Sequence, residues 1–492
     1  MDPRVAFLVV LLLAAPRLGA QETPDPERLK EAIQCLFQGR DEATIRRGAE
    51  ICLELDHVES MKVLIKVLNG PNPHHRDIVW EVLPRFTDPY ARKRVEAELR
   101  ENAGSAEVRQ WCAELLGLYR DAAFAGTLVR ALQDRDPAVV RAATRSLGQV
   151  GHAAAAPQLL RLCGRKDDPY LRALAAEALA RIDARQHRGT FLAALADADG
   201  GVRCALLGSL PGFYPELVEE RSLAALADKD WRPRMQAVEN LAKVRTKGSV
   251  AGLVSAAADA RPVVARAAMR ALEGLTGLSM LRAQDWAEWW RENEAAFAFP
   301  GEASRPATRR QGGTVAKYNG IDLVSDHVAF LIDKSASMAA TLEAQGCSKE
   351  DAALGELGRV LEGLQGRLTF NVFTYHNDVD RLHPRAVPLT KKSAAAALAF
   401  LRAGKLRGNK NIWQALVAVC EDPTLDTVYL LSSGEPEVGL YVHWNRVTLH
   451  LRELNRFHKV VVHTVAYNRS QWFRDQLQKI AEVTGGEFQW YQ

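Results

Sequence analysis

Apolar residues at helical spacing fill the chain from Pro26 to Phe297, interrupted by short turns that carry Asp, Pro or Gly. Within this pattern a leucine recurs every 31 or 32 residues, at Leu116, Leu147, Leu179, Leu210, Leu241 and Leu272. Four residues earlier stands a side chain that is mostly small, namely Cys112, Ala143, Ala175, Leu206, Ala237 or Ala268. A fixed period of this length predicts an all-α solenoid whose repeats each pack on their neighbours.

Each regular repeat also carries an arginine a few residues before its leucine, at Arg109, Arg141, Arg172, Arg203, Arg234 or Arg266, and most have an aspartate-rich turn upstream. Aspartate caps a helix start, and arginine can reach a neighbouring turn, so we expect ion pairs between successive repeats. The pattern is clearest in DPAVVRAATRSLGQVG at 136–151 and resembles the short HEAT repeats of phycobilisome-lyase-like proteins. The resemblance implies a scaffold that binds proteins, and we do not expect the pigment chemistry of those lyases.

A tryptophan-rich helix closes the array at Trp286, Trp289 and Trp290. We interpret it as a cap over the open end of the solenoid, in preference to a surface that stacks on a ligand. The segment that follows is rich in Pro, Gly and Arg and predicts a linker. The expected domains are therefore a solenoid at 21–297, a linker at 298–319 and a second domain at 320–492.

In the second domain, apolar runs of strand length alternate with helical patterns. The expected strands are 327–333, 368–375, 427–432, 460–467 and 487–491, and the expected helices are about 349–364, 391–402, 412–421, 446–457 and 471–483. Alternation of this kind predicts a doubly wound, Rossmann-like α/β domain with a mostly parallel sheet covered on both faces. A binding site in such a domain lies beyond the carboxyl ends of its strands.

The loop after the first of these strands reads FLIDKSASM and places Asp333, Ser335 and Ser337 together. A carboxylate and two hydroxyls are oxygen ligands suited to Mg²⁺ or Ca²⁺. The motif resembles the first loop of the metal-ion-dependent adhesion site in von Willebrand factor type A domains. The segments DTVYLLSSGEPEVG at 426–439 and KIAEVTGGEF at 479–488 extend the resemblance over the domain.

Two positions depart from that family's pattern. Lys410 stands where the resemblance calls for a metal-binding threonine, and Ser433 stands where it calls for an aspartate. One carboxylate holds a divalent ion weakly and an ammonium repels it, so we expect the site to be degenerate. Our hypothesis is that Lys410 forms an ion pair with Asp333 in place of the metal.

Two alternatives to that ion pair stay open. Asn409, Asn411 or Glu435 could restore a metal site, or the first loop could be held by hydrogen bonds alone. We therefore expect no cofactor, with Mg²⁺ or Ca²⁺ as the ions that a surviving site would bind.

The amino terminus has the layout of a secretory signal, with Arg4, an apolar run from Val5 to Ala15 and small residues up to Ala20. Cleavage there would leave Gln21 first and export the chain to the periplasm, the cell envelope or the medium. The run is too short for the alternative, a membrane anchor, and we expect no transmembrane segment elsewhere. Seven isolated cysteines define no disulfide framework.

A net charge of +4 without a dense basic block gives no case for nucleic acid. We find neither a phosphate-binding loop of the Walker type nor an HExxH motif, and we expect no enzyme activity. The sequence predicts an exported, non-enzymatic scaffold in which both domains bind proteins, without a divalent metal. The alternatives are a metal-dependent adhesion protein with a non-standard site and a structural or assembly component of the cell envelope.

Overall fold

A computed structural model describes residues 23–101, 104–300, 316–343 and 345–491. The proposed signal peptide and residues 301–315 of the proposed linker lie outside this part of the chain. The described residues divide into two compact units, one ending at Ala194 and the other beginning at Leu195.

The first unit is all helical. Its α-helices are α1 (Pro26–Gln38), α2 (Glu42–Leu55), α3 (Val58–Leu68), α4 (Pro73–Val82), α5 (Pro89–Arg100), α6 (Ala106–Tyr119), α7 (Ala125–Ala131), α8 (Pro137–Val150), α9 (Ala156–Leu162), α10 (Pro169–Ile182) and α11 (Arg188–Ala194). Short 3₁₀ helices precede or follow some of them at Leu83–Arg85, Ala122–Phe124 and Ala153–Ala155.

Helix α8 shows how the sequence sets a repeat. The Asp136 side chain accepts a hydrogen bond from the Ala138 amide at 2.8 Å, Pro137 occupies the first turn, and Gly151 ends the helix at a φ of 73°. The periodic leucines are fully buried, as the repeat pattern predicted. The first unit therefore has the predicted solenoid architecture.

The predicted ion pairs between repeats are also present. Arg109 binds both carboxylate oxygens of Asp134, at 2.8 and 3.0 Å. The same arrangement recurs within the second unit, where Arg234 binds Asp259 at 2.7 and 2.9 Å. Each pair joins an arginine to an aspartate 25 residues later, so it connects one repeat to the next.

The second unit begins with the last repeats. Its helices here are α12 (Gly200–Phe213), α13 (Val218–Ala225), α14 (Trp231–Val244), α15 (Lys247–Ala256), α16 (Pro262–Thr276) and α17 (Ala283–Asn293), with a 3₁₀ turn at Pro215–Leu217. On α17, Trp286 and Trp290 are buried in one apolar cluster with Leu272. The tryptophans therefore cover the last repeat, as the capping interpretation expected.

The rest of the second unit is an α/β domain. Its strands are β1 (Lys317–Tyr318), β2 (Ile321–Asp322), β3 (His327–Asp333), β4 (Thr341–Leu342), β5 (Cys347–Ser348), β6 (Thr369–Tyr375), β7 (Val379–Arg381), β8 (Val387–Pro388), β9 (Thr427–Ser432), β10 (Val461–Ala466) and β11 (Phe488–Trp490). The main sheet has the order β11-β10-β9-β3-β6-β7, with β8 also paired to β6. The five strands predicted from sequence are parallel, and β7 and β8 add an antiparallel edge.

Five helices cover this sheet: α18 (Lys349–Gly363), α19 (Lys391–Ala403), α20 (Ile412–Cys420), α21 (Trp444–His458) and α22 (Gln471–Thr484). The side chains of β3 point alternately to the two faces of the sheet, and each face has its own apolar core. Phe330 packs with Leu357 of α18 on one face, and Leu331 packs with Leu416 of α20 on the other. The doubly wound fold class is confirmed, and the central strand runs directly to Asp333.

The last repeats and the α/β domain pack together inside the second unit. The indole N–H of Trp231 donates to the carbonyl of Pro423 at 3.2 Å, and Lys459 pairs with Glu239 at 2.6 Å. Val461 of β10 lies in the same apolar cluster as Leu241. These contacts involve residues scattered between 231 and 461, and no sequence pattern predicted them.

All seven cysteines are free, and Cys52, Cys112, Cys204 and Cys420 are buried. Among the described helices, none combines the length and the apolar character that crossing a bilayer requires.

Candidate functional site

The candidate site lies where β3 and β9 end, at the carboxyl edge of the sheet. Asp333 is the last residue of β3, and Ser433 follows the last residue of β9. The two strands are paired in parallel, so the sheet itself brings the two loops together. The Asp333 side chain is fully buried, and Ser433 is nearly so.

Both oxygens of the Asp333 carboxylate receive hydrogen bonds from the protein. Oδ1 accepts from the Ser335 amide at 2.8 Å. Oδ2 accepts from the Ser433 amide at 2.9 Å and from the Ser433 hydroxyl at 2.6 Å. Hydrogen bonds to an ionised carboxylate are among the stronger ones in proteins, so three donors stabilise this buried charge without an ion.

The serine hydroxyls of the two loops are linked to one another. Ser335 Oγ lies 3.0 Å from Ser337 Oγ, which lies 2.7 Å from Ser433 Oγ. The serine at 433 therefore joins the third loop to the first through both Asp333 and Ser337. The sequence placed Asp333, Ser335, Ser337 and Ser433 at one site, and the structure brings these four side chains together.

Lys410 also reaches this site, but its carboxylate partner differs from the one we hypothesised. Its ammonium donates to Glu437 Oε2 at 2.8 Å and to Ser337 Oγ at 3.4 Å. Among the described residues no ion pair joins Lys410 to Asp333. The direct pairing hypothesis was therefore wrong, because Asp333 already has its donors and Glu437 offers the nearer carboxylate.

The ammonium group of Lys349 also interacts with this site. Burial lowers the pKa of Lys349, the neighbouring charge of Lys410 lowers it further, and Asp333 raises it. Lys334, the residue after Asp333, is buried and paired with Glu350. Lys349 and Lys410 thus bring positive charge to the Asp333 site.

These residues fit a divalent cation poorly. Mg²⁺ and Ca²⁺ need several oxygen ligands, and they are held most firmly by carboxylates. Here Asp333 is the one carboxylate hydrogen-bonded to the serine cluster, its oxygens accept three hydrogen bonds, and the serine hydroxyls bond to each other. The nearby carboxylate of Glu437 is already paired with Lys410. An ion among them would also face the Lys410 ammonium, which lies 3.4 Å from the Ser337 hydroxyl.

The proposed substitute ligands have other roles or positions. The Asn411 side-chain oxygen caps α20 by accepting from the Gln414 amide at 3.2 Å. Asn409 is exposed, and its amide donates to Asn377 at 2.7 Å. Glu435 is exposed. Glu437, two residues later, contacts Lys410. Sequence analysis missed Glu437, although it lies in the same SSGEPEVG segment from which Glu435 was chosen.

A second group of candidate ligands, Asp326, His327 and Asp426, lies near the opposite edge of the sheet, with ligand atoms within 4.8 Å of one another. Arg261 of the repeats already supplies a cation there. Its Nη1 lies 3.4 Å from Asp426 Oδ2 and 4.0 Å from Asp326 Oδ1. Because a guanidinium faces both carboxylates, this group is better explained as an ion-pair cluster than as a metal site.

Comparison with known proteins agrees with this architecture. Residues 93–180 match the family of HEAT repeats. No curated protein matches the sequence. The predicted HEAT-like repeats are matched at 93–180, and the predicted doubly wound α/β domain has the expected sheet.

Solved structures similar to the chain include a von Willebrand factor type A protein from Catenulispora acidiphila, with 16% identity and a TM-score of 0.29. That match covers 35% of this chain and 40% of that protein. The complex of CpcE and CpcF of phycocyanin lyase from Nostoc has 20% identity and a TM-score of 0.30, over 44% of this chain and 87% of that one. An aerotolerance-related membrane protein from Bacteroides fragilis has 13% identity and a TM-score of 0.27. That match covers 34% of this chain and 90% of that protein.

Proposed function

We propose that this chain is an exported, non-enzymatic scaffold that binds proteins through both its repeats and its α/β domain, and that the α/β domain works without a divalent metal. HEAT repeats and type A-like domains are both protein-interaction architectures, which supports the general class. The proposal adds the compartment, the absence of catalysis and the independence from metal.

One observation carries the claim of metal independence. The Asp333 carboxylate is fully buried, accepts hydrogen bonds from Ser335 and Ser433, and has the Lys410 ammonium close by on the Ser337 hydroxyl. Protein donors thus perform the stabilising role that a metal would otherwise have. A partner would then meet a preformed surface and would not need to complete an ion's coordination shell.

The non-enzymatic part of the proposal rests on the same residues. A nucleophilic serine needs a nearby general base, normally a histidine. Ser433 and Ser337 instead bond to each other, to Asp333 and to the Lys410 ammonium. A hydroxyl beside an ammonium is not activated by loss of its proton to that group, so the cluster fits a structural role.

Export is tested separately from binding. The amino-terminal sequence of the protein recovered from its native source should begin at Gln21, as cleavage after Ala20 requires. Retention of the first twenty residues would contradict the signal-peptide assignment.

Binding is tested by capture from the extracytoplasmic fraction with the full chain as bait, in EDTA and in Mg²⁺. We expect the same partners in both conditions. The bait Ser255→Ala, changed at an exposed helix position, should match the natural chain. Partners that are captured only with Mg²⁺ would overturn the metal-free proposal and would favour the metal-dependent adhesion alternative.

A further inference from the structure

A cleft of about 440 Å³ opens within the second unit, between the last repeats and the α/β domain. Helices α14 and α16 form one wall, and α21, β10 and the end of α22 form the other. The cleft includes Thr427 and Val461, the first residues of β9 and β10. It therefore lies at the amino edge of the sheet, opposite the edge that carries Asp333.

Cationic side chains line both walls of this cleft. Arg266 and Arg270 come from α16, Arg452 and Arg456 from α21, and Lys459 follows α21 directly. Glu239 is the one acidic residue in the lining, which therefore has five cationic groups against one anionic group. Guanidinium groups bind carboxylates and phosphates through two parallel hydrogen bonds, so two walls of arginine suit an anion.

Acidic side chains near the cleft pair with four of these cations. Lys459 pairs with Glu239 at 2.6 Å, and Arg456 with Glu453 at 3.3 Å. Glu487 is shared, at 3.3 Å from Arg270 and 3.9 Å from Arg266, and Asp322 lies 4.0 Å from Arg266.

Arg452 is the fifth cation of the lining. It is exposed and has no ion pair within the described part of the chain. The walls therefore retain donors for a ligand, most clearly on Arg452 and Arg270.

The positive charges of the lining also affect the titration of His463, which is part of the same cleft. Burial, followed by the charges of Arg270 and Arg266, lowers the pKa of His463 to about 3. The imidazole is therefore neutral near pH 7 and adds no charge to the lining. Between the cations, the surface is apolar, with Val263 and Ala267 on one wall and Val461 and Val483 on the other.

We propose that this cleft binds a small organic anion that has an apolar body and at least two carboxylate or phosphate groups. The cavity volume lies within the range of small-molecule sites. One anionic group would lie against Arg270 of the repeats and the other against Arg452 of the α/β domain, with the apolar body on the valines between them. The ligand would thereby connect the two parts of the second unit.

The experiment is a calorimetric titration of the full-length chain at low salt with two probes, benzene-1,3-dicarboxylate and benzene-1,3-diyl bis(phosphate), which separate the carboxylate source from the phosphate source. We expect at least one probe to bind with a dissociation constant on the order of 1 mM or lower. Benzamide, which has the ring without the charge, should not bind measurably.

Two variants assign the binding to the cleft. Arg270→Ala and Arg452→Ala should each raise the dissociation constant about tenfold, because each removes one charged contact. Arg291→Ala, an exposed arginine of α17 outside the lining, is the matched control and should change nothing. The two test residues are partly or fully exposed, so their variants are expected to fold.

The proposal is overturned if neither probe binds, if both test variants bind as the natural chain does, or if inorganic phosphate binds as tightly as the two aromatic probes. The last result would mean that the apolar wall contributes nothing. Because the cleft lies at the other edge of the sheet, none of these results depends on whether the Asp333 site binds a metal.

Discussion

The hydroxyl of Ser433 donates to the buried carboxylate of Asp333 at 2.6 Å, and the Ser433 amide donates to the same oxygen at 2.9 Å. Two neighbouring parallel strands deliver these residues to one place. Ser433, which stands where a metal-binding aspartate was expected, thus donates hydrogen bonds to Asp333, the aspartate of the motif that is present. The departures at Ser433 and Lys410 are therefore parts of one hydrogen-bonded arrangement.

Ser433→Ala should destabilise the second unit by about 1–3 kcal/mol, because a buried charged acceptor loses a hydroxyl donor and Ser337 loses a partner. Urea unfolding monitored by circular dichroism measures the change. Ser255→Ala removes a hydroxyl from an exposed helix position and should have little effect. Equal stability of both variants would mean that the Ser433 hydroxyl is not a significant donor to Asp333.

Glu437→Gln should destabilise the chain by about 1–2 kcal/mol. The Lys410 side chain is only 6% exposed and would lose its carboxylate, although Glu437 itself is 42% exposed, which limits the effect. Lys410→Met in the same variant should restore part of the loss, since it removes the buried charge.

Glu343→Gln is the control for Glu437→Gln, because it breaks an exposed pair with Arg469. It should be close to neutral in the same unfolding experiment. If Glu437→Gln also left the free energy of unfolding unchanged, Glu437 would not be the charge partner of Lys410. That result would favour the ion pair of Lys410 with Asp333 that the sequence suggested.

Asp426 should make the stability of the second unit depend on pH. Burial raises its pKa to about 6, while the Ser325 hydroxyl and the charge of Arg261 lower it. Because the folded state then holds the proton more tightly than the unfolded state, this contribution is greatest below pH 4. The free energy of unfolding should therefore fall by roughly 2–3 kcal/mol as the pH rises from about 4 to about 6.

Unfolding experiments between pH 4 and pH 7 test this expectation. The difference in stability between the natural chain and Asp426→Asn should change across this range and then become constant. Asp326→Asn, at a side chain that is 43% exposed, is the comparison and should leave the profile nearly unchanged. A constant difference between the natural chain and Asp426→Asn would show that Asp426 is ionised throughout.

Arg234→Ala should destabilise the second unit by about 2–3 kcal/mol, because it leaves the nearly buried Asp259 carboxylate without its bidentate partner. Thermal unfolding provides the measurement. Arg282→Ala breaks a pair of similar geometry with Asp285 on an exposed surface, and it should cost less than about 0.5 kcal/mol. Similar losses in both variants would argue against a structural role for the ion pairs between repeats.

The sequence predicted those features that depend on local pattern. The strand 327–333 was predicted to the residue, because an apolar run ends there at an aspartate. The buried leucines and the pair of Arg109 with Asp134 followed from the repeat. Asp333, Ser335 and Ser337 were placed on one strand-end loop from the sequence. Lys410 and Ser433 were placed beside them by the resemblance to type A domains.

Other features depend on contacts between segments that have no common pattern. Glu437 lies in an irregular loop, so nothing in its spacing indicated that its side chain would reach Lys410. The contact of Trp231 with Pro423 joins residues 192 positions apart. The antiparallel strands β7 and β8 have three and two residues, too few for an alternating pattern to be recognised.

The most direct test of metal independence is a calorimetric titration of Mg²⁺, Ca²⁺ and Mn²⁺ into the natural full-length chain and into Lys410→Thr/Ser433→Asp. The double variant removes the ammonium and adds a carboxylate beside Asp333, so it should bind at least one of these ions. The natural chain should bind none of them at micromolar concentration. Micromolar binding by the natural chain that disappears in Asp333→Ala would contradict the account.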